Sequence, residues 1–424
     1  MVRLVASAFS KRGLANIVFM LLVACLSFSL NPSLATARVY DIVENDTLDF
    51  DFSTRKGLRF RWREPDVRLR LGGRLHTDAV FTDPDRTNLQ RSDADLRRAR
   101  LYLDARILKD FRFKVDREFA PDRRGWRNVF AGYSISKSTS LRAGNFVAPF
   151  GLEDIVASNH STFMERASSS ALAPSFQTGV MIRSNGRFGK RKTRQRWTLA
   201  GAFTSESFGQ TSYDRHASEH LGFVGRATWA PIARKRAVLH FGSAFEYRDV
   251  RGRDEFRVSS KPESGLLPTA ISTGRLANVD QTFAVGGEFL ALRGPLTLQA
   301  EYVHMFVERE AGLEDVDFQG GYGQVSYVLT GERRRYSAAL GTLGGVRPKS
   351  AWGAVEIGLR YSVLDLNDGN VEGGRLRDWT VGANWYIREN VRVSANYVAV
   401  DADLRTTGQS DSPHVFQMRF QLYF

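Results

Sequence analysis

The sequence has 424 residues, and its 60 lysines and arginines outnumber its 46 aspartates and glutamates, for a formal net charge of +14. Only ten of the basic residues are lysine, and 50 are arginine. The single cysteine, Cys25, lies in a segment that we predict is removed on export, which excludes disulfides and thiol chemistry from the rest of the chain. Basic chains often bind nucleic acid, but the export signal and the lack of a basic tail argue against it here.

The chain begins with the pattern of a secretory signal. A basic start precedes an apolar run over residues 17–30, which is too short for a helix that crosses roughly 30 Å of hydrocarbon. Small residues then lead to an A-x-A pattern that ends at Ala37. We therefore predict a signal peptide over 1–37, cleaved after Ala37. Lipoprotein processing at Cys25 is the alternative, but the apolar run continues past that residue.

The remaining chain is divided into a lead-in segment, 38–66, and a single domain, 67–424. No part of it has the roughly 18 consecutive apolar residues of a membrane helix. Instead, apolar and polar residues alternate with the period of two that indicates β-strands. Val67, Leu69 and Leu71 alternate with Arg68 and Arg70, for example. The polar faces carry full charges on many strands, which is typical of a barrel with lipid outside and water inside.

We predict sixteen strands, which is enough to enclose an aqueous channel. They lie at 67–81, 95–108, 110–120, 126–136, 140–146, 178–186, 196–205, 223–231, 237–250, 280–293, 296–309, 316–330, 350–365, 377–390, 391–402 and 414–424. Short and long connections mostly alternate, as periplasmic turns and surface loops do. The connection at 331–349 breaks the rule, because a long segment stands where a short turn belongs. The predicted fold is an all-β, 16-stranded antiparallel transmembrane β-barrel.

The last predicted strand ends in Phe424 and alternates completely. Its apolar face consists of Phe416, Met418, Phe420, Leu422 and Phe424. Gln417, Arg419, Gln421 and Tyr423 form its other face. This ending resembles the signal that outer-membrane barrels present to their assembly machinery. A soluble exported β-protein is the alternative, but it would need two domains at this length, and no linker or repeat boundary is visible.

The connection over 147–177 is too long to be an ordinary turn, so it needs a function or packing of its own. It follows the fifth predicted strand and would be the third surface loop, which folds inward and narrows the pore in trimeric porins. Its charged residues are Glu153, Asp154, Glu165 and Arg166, and it contains no lysine. Lys261 and Lys349, in other connections, are the lysines that could supply a basic group to a constriction.

Several blocks of sequence resemble the phosphate-selective porins O and P. They are Pro149-Phe150-Gly151-Leu152-Glu153, Phe163-Met164-Glu165-Arg166-Ala167, Ala171-Leu172-Ala173-Pro174, Arg97-Arg98-Ala99-Arg100-Leu101-Tyr102 and Tyr327-Val328-Leu329-Thr330-Gly331-Glu332. The resemblance implies a homotrimer in outer-membrane lipid, with a sixteen-stranded barrel in each subunit that lets small anions diffuse. Family members specialised for phosphate use an arginine-rich wall and lysines at the constriction. The lysine-free loop here departs from that pattern.

Alternation places a set of basic residues on the lumen face, which we predict to be pore-lining. They are Arg68, Arg70, Arg74, Arg98, Arg100, Arg106, Arg112, Lys114 and Arg142. The acidic residues on the same strands and face are Asp78, Asp104, Asp116 and Glu118. Fixed positive charge along a narrow path attracts anions and excludes cations.

We therefore expect an outer-membrane porin of a Gram-negative bacterium, without cofactor, that passes small hydrophilic solutes and prefers anions, with phosphate or polyphosphate as candidates. A general non-specific porin, or a barrel with a structural or enzymatic role, remains an alternative. No catalytic motif supports an enzyme. His216 and His220 flank Glu219 at a spacing that suits a metal on a helix, but they lie in a predicted surface loop without a third ligand, so no metal site is expected.

Overall fold

The computed structural model describes residues 48–53, 57–63, 66–83, 92–189, 195–208, 220–251, 256–404 and 409–424. The predicted signal peptide, 1–37, lies outside these described residues. Within the described ranges, no helix has the length and apolar character that crossing a bilayer requires.

The chain forms 23 strands over the residues that the structure describes. They are β1 (Leu48–Ser53), β2 (Gly57–Trp62), β3 (Val67–Thr82), β4 (Asp93–Ile107), β5 (Phe111–Glu118), β6 (Gly125–Ser134), β7 (Thr139–Val147), β8 (Phe176–Phe188), β9 (Gln195–Ser205), β10 (Gly222–Ala233), β11 (Ala237–Asp249), β12 (Ser259–Ser260), β13 (Ile271–Ser272), β14 (Val279–Arg293), β15 (Leu296–Arg309), β16 (Val316–Val328), β17 (Arg334–Ser337), β18 (Thr342–Val346), β19 (Ala354–Asp368), β20 (Val371–Arg388), β21 (Val391–Leu404), β22 (Gln409–Asp411) and β23 (His414–Tyr423). Short 3-10 helices lie at Pro121–Arg123 and Ser168–Leu172.

Sixteen of these strands form a closed antiparallel barrel, which confirms the predicted fold class. Each barrel strand pairs with the next one along the chain, in the order β3 to β11, β14 to β16, β19 to β21, and β23. The last strand, β23, then pairs with the first, β3, over the register from Val415 opposite Thr82 to Tyr423 opposite Arg74. Closure leaves the sixteen barrel strands without an unpaired edge. Lipid does not tolerate such an edge, because it cannot hydrogen-bond to the backbone.

The two faces of β23 show which way the alternating residues point. Phe416 and Met418 are each 42% exposed, whereas Gln417, Arg419 and Gln421 are buried. Apolar side chains therefore cover the outside of the barrel and polar ones fill the inside, the reverse of a soluble sandwich.

The connections differ in length between the two ends of the barrel. Tight turns such as 294–295 and 389–390 lie at one end, and the long segments 148–175 and 250–278 lie at the other. The exception is 329–353, a long segment at the tight-turn end. It contains the hairpin of β17 and β18, which pair with each other and not with the barrel wall. The irregular predicted connection at 331–349 is therefore a real insertion and hides no barrel strand.

The lead-in segment contains a hairpin of β1 and β2. Strand β2 pairs with the first part of β3, from Leu58 opposite Leu71 to Trp62 opposite Val67. Phe52 of β1 packs against the cluster that contains Leu422 and Phe424. This hairpin covers apolar residues at the end of the last strand. It pairs with the beginning of β3, before the part of β3 that pairs with β23.

The long segments pack against residues of the wall. The largest buried apolar cluster joins Phe150 and Leu172 of 148–175, Leu266 and Leu267 of 250–278, and wall residues that include Phe318, Leu364 and Leu376. Glycines on the wall strands make room for the aromatic rings. A Cβ atom at Gly286 would lie 3.1 Å from Phe150 Cε1, and one at Gly382 would lie 3.0 Å from Phe163 Cδ1. The segment 148–175 thus contacts strands at well-separated positions around the barrel.

Candidate functional site

A cavity of about 350 Å³ lies between one side of the barrel wall and the segment 148–175. Nine basic side chains of the wall and its turns line it: Arg74, Arg98, Arg100, Arg112, Lys114, Arg123, Arg127, Arg142 and Arg183. The facing segment contributes Glu153, Asp154, Glu165 and Arg166. A basic wall of strands β3 to β8 is therefore opposed by a mainly acidic segment.

A bulge in β4 sends two consecutive arginines to this side of the sheet. Arg98 pairs with His76, but the next paired residue is Leu96, opposite Thr77, so Arg97 is an extra residue in the register. Extra residues of this kind re-aim side chains that alternation would place on the opposite face. Arg97 is buried and reaches Glu165, with 2.6 Å between Arg97 Nη2 and Glu165 Oε2.

The basic groups of the wall are not equally neutralised. Arg100 is paired with Glu118, and Arg112 with Asp104. Among the described residues, no carboxylate lies within ion-pair distance of Arg98, Arg142 or Arg183. Over the side chains that the structure describes, seven of the nine basic lining groups, these three among them, therefore lack a direct ion pair.

The turn residue Arg123 also contributes positive charge to the cavity. Burial, followed by the neighbouring charge of Arg97, lowers the pKa of Arg123 to about 10, so it remains protonated at neutral pH. Aromatic rings lie among the cations: Arg142 stands 4.7 Å above the centre of the Phe130 ring, and Arg127 stands 5.6 Å above that of Phe176. Such contacts hold a guanidinium in place without cancelling its charge.

The carboxylates of the segment differ in their ionisation. Burial opposes the charge of Glu165, but Arg97 and Arg419 hold its pKa well below the usual range. Burial raises the pKa of Glu153 to about 7, although Arg360 opposes the shift. Burial likewise raises the pKa of Asp154, against the influence of Arg166. Glu165 is therefore firmly ionised near neutral pH, whereas Glu153 titrates in that range.

Wall residues from three distant strands bind the same segment. Glu301 Oε1 on β15 accepts a hydrogen bond from the backbone N–H of Glu153 at 2.7 Å. Arg360 Nη1 on β19 donates to Glu153 Oε1 at 3.1 Å, and Arg419 Nη2 on β23 donates to Glu165 Oε1 at 2.7 Å. These bonds fix the acidic residues opposite the basic wall.

The remaining residues of the predicted site lie elsewhere. Arg68 pairs with Asp66, Arg70 lies 5.5 Å from the centre of the Tyr102 ring, and Arg106 is exposed. None of the three is among the residues that line the cavity.

The two lysines considered for a constriction also lie outside the cavity lining. Lys261 Nζ donates to Gly265 O at 3.2 Å, and Lys349 is exposed in the 329–353 segment. The described residues contain no cluster of three or more His, Cys, Asp or Glu side chains that could hold a metal ion. His216 and Glu219 lie outside the described residues.

Three basic lining residues were missed by the sequence analysis. Arg183 is on the same face of β8 as the buried Met181, so alternation could have found it. Arg127 lies where the register between β5 and β6 shifts, and Arg123 lies in a 3-10 turn. At those two positions the alternation of a regular strand does not predict which way a side chain points.

A closed sixteen-stranded barrel with a polar interior and an arginine-lined cavity defines a porin. The chain belongs to the phosphate-selective porin O and P family, whose model matches residues 69–424. This confirms the resemblance carried by the sequence blocks and makes the protein an outer-membrane protein of the Gram-negative type.

Two relatives match most of the chain. Porin O of Pseudomonas aeruginosa is 27% identical over 410 residues, which cover 87% of this chain and 91% of the relative. An uncharacterized protein of Caulobacter vibrioides is 24% identical over 359 residues, covering 79% and 69%.

Solved structures of porins share the fold. The loop L8 deletion mutant of OmpT from Vibrio cholerae has a TM-score of 0.54 at 12% identity, covering 84% of this chain and 99% of that one. The channel DcaP of Acinetobacter baumannii has a TM-score of 0.53 at 11% identity, covering 84% and 97%. The anion-selective porin from Comamonas acidovorans has a TM-score of 0.50 at 13% identity, covering 85% and 100%.

Proposed function

We propose that this porin is a passive diffusion channel that prefers anions, with phosphate or polyphosphate among its solutes, and that it is not an enzyme. The observation that carries the proposal is the cavity with nine basic wall residues. Guanidinium groups in a confined space attract anions, and their planar fork of donors suits the oxygen atoms of phosphate. The description of the family and the anion-selective porin of the same fold support the same solute class.

The segment 148–175 is proposed to be an inward-folded constriction loop. Its bonds to Glu301, Arg360 and Arg419, and the packing of Phe163 against Gly358 and Gly382, support a position inside the barrel. In that position the loop fills the side of the lumen next to β14 to β23. The open path is then confined to the arginine side, next to β3 to β8.

The proposed pore-lining set follows from this geometry. Six of the residues expected from alternation contribute to the path: Arg74, Arg98, Arg100, Arg112, Lys114 and Arg142. Arg123, Arg127 and Arg183 join them. Positive charge on one side and the ionised Glu165 on the other create a field across the path. Such a field orients passing solutes and weakens strict phosphate selectivity, so a general porin with modest anion preference is the second candidate.

We also propose the domain boundaries, the oligomeric state and the contact with membrane lipid. The domain boundaries stay as predicted, with a signal peptide over 1–37, a lead-in over 38–66 and the barrel over 67–424. Family membership supports a homotrimer. Exposed aromatic residues on the outer face, such as Trp229, Trp379 and Trp385, suit contact with membrane lipid and its interfaces.

Single-channel recording in a planar bilayer tests the solute class. Inorganic phosphate added to a chloride solution should reduce the chloride current in a saturable manner, because both anions compete for the same arginines. A chloride current unaffected by phosphate would remove phosphate from the proposal and leave the general porin.

A further inference from the structure

Glu263 lies in the segment 250–278, between β12 and β13, in an unusual environment. It is only 3% exposed, and its backbone has a φ of +37°. Residues other than glycine rarely adopt positive φ values, and those that do cluster at functional sites whose surroundings hold them in place. Glu263 does not line the cavity, so a direct contact with solute does not account for this environment.

Three barrel strands bind Glu263. Its Oε2 atom accepts hydrogen bonds from Arg360 Nε on β19, at 3.1 Å, and from Thr380 Oγ1 on β20. Its Oε1 atom accepts one from Ser362 Oγ on β19 at 2.6 Å. Its backbone oxygen accepts one from Gln417 Nε2 on β23 at 3.0 Å. The carboxylate is therefore held by the wall independently of the segment 148–175.

Arg360 joins Glu263 to that segment. Its side chain has no exposed surface, and it donates to Glu153 Oε1 and to the backbone oxygen of Glu165, each at 3.1 Å. Its guanidinium also lies 4.5 Å from the centre of the Phe163 ring. A buried guanidinium needs partners on all its donor edges, and the removal of one charged partner leaves the group free to reorient.

We propose that Glu263 is a positioning residue for anion permeation. It fixes Arg360 to the wall, and Arg360 in turn holds the acidic part of 148–175 at a set distance from the arginines. This inference rests on the proposed function, because it takes 148–175 to be the constriction. Without the charge of Glu263, Arg360 would be held mainly by Glu153, which belongs to the segment itself, and the segment would become more mobile.

A cysteine placed in the cavity lining can report the movement of the segment. Ile155 lines the cavity, and the sequence has no cysteine other than Cys25. In trimers carrying Ile155→Cys, the rate of block by a small sulfonate-bearing methanethiosulfonate reagent is measured in planar bilayers. Adding Glu263→Gln should speed the reaction by roughly two- to thirtyfold, the range of effects seen along physically connected networks. Open-channel current noise should rise as well.

Glu246→Gln is the matched control. Glu246 is also buried and bonds to an arginine, Arg248, and its other hydrogen bond comes from Gln177 of β8. This variant should leave the reaction rate unchanged. If both variants speed the reaction equally, the effect is general loosening of the barrel and the proposal is overturned.

Thr380→Val covers the case in which Glu263→Gln fails to assemble. It removes the hydrogen bond that Thr380 Oγ1 donates to Glu263 and should change the rate in the same direction by a smaller factor. Rates equal to the control in every variant that assembles would overturn the proposal. A zero-current potential recorded for Ile155→Cys alone separates a failure of the proposed function from a failure of the role of Glu263. Cation preference there contradicts the proposed function, whereas anion preference with unchanged rates contradicts only the role of Glu263.

Discussion

Arg100 on β4 and Glu118 at the end of β5 form a buried ion pair, with 2.6 Å between Arg100 Nε and Glu118 Oε2. Glu118 also accepts a hydrogen bond from the backbone N–H of Ala99 at 2.6 Å. Arg98, two residues away, has no carboxylate within ion-pair distance among the described residues. We therefore expect the two arginines to differ in role, with the compensated guanidinium mainly supporting the wall and the uncompensated one attracting solute.

Replacement of Glu118 by glutamine should release most of the charge of Arg100 into the cavity, because the carboxylate that remains, Asp116, lies 4.0 Å from Arg100 Nη1. The ratio of anion to cation permeability should rise, by less than about tenfold because the other eight basic groups already dominate the field. Loss of a buried partner should also lower barrel stability by up to about 3–5 kcal/mol. Reversal potentials in a salt gradient measure the permeability ratio. The temperature at which the protein changes its migration on a detergent gel measures the stability of the barrel. An unchanged reversal potential would contradict the claim that Glu118 neutralises the charge of Arg100 in the cavity.

Arg98→Ala should lower anion preference by roughly two- to tenfold, because it removes an uncompensated charge from the path. Arg68→Ala is the matched control. Arg68 pairs with Asp66 outside the cavity lining, with its side chain 47% exposed, so its removal should leave the reversal potential unchanged. Equal effects of the two substitutions would show that the cavity is not the selective part of the channel.

Glu153 should make selectivity depend on pH. Its pKa is raised to about 7 by burial, so the carboxylate is mostly ionised above that pH and mostly neutral below it. Protonation removes a negative charge from the segment that faces the arginines. Anion preference should therefore increase as the pH falls from about 8 to about 6, around the raised pKa. Glu165, whose pKa is held well below the usual range, stays ionised throughout.

Glu153→Gln provides the control for the pH experiment. It should show high anion preference at both ends of this range and little change between them. A pH dependence that persists in full in this variant would assign the titration to another group.

Gly382→Val should narrow the channel without opening the barrel. A Cβ atom at this position lies 3.0 Å from Phe163 Cδ1, so the added methyl groups must push the ring and its segment toward the arginine wall. Overpacking of this kind costs about 1–3 kcal/mol, which a large barrel can tolerate. Single-channel conductance should fall. Gly323→Val, at an exposed glycine where an added Cβ atom would meet no heavy atom within 4 Å, should leave conductance unchanged.

The barrel was predictable because each strand repeats one simple physical rule. Lipid outside and water inside force alternation, and the terminal run from Phe416 to Phe424 shows it without interruption. The long connection at 331–349 could be recognised as irregular, but not as the β17–β18 hairpin, because its stability depends on partners far along the chain. Arg334 of β17, for instance, donates a hydrogen bond to the backbone oxygen of His160.

The cavity was only partly predictable. Alternation gave Arg74, Arg98, Arg112 and Arg142 their face, but it could not tell which level of the barrel each residue occupies. It also failed at the bulge that re-aims Arg97. Bulges and the packing of long segments depend on contacts between residues hundreds of positions apart, such as that between Glu165 and Arg419, which no local pattern encodes.

The zero-current potential of the unmodified protein in a KCl gradient tests the central claim most directly. If the open path runs along the arginine wall, the potential should lie toward the equilibrium potential of chloride and move closer to zero when Arg98 and Arg142 are both replaced by alanine. A potential toward the equilibrium potential of potassium would contradict the account.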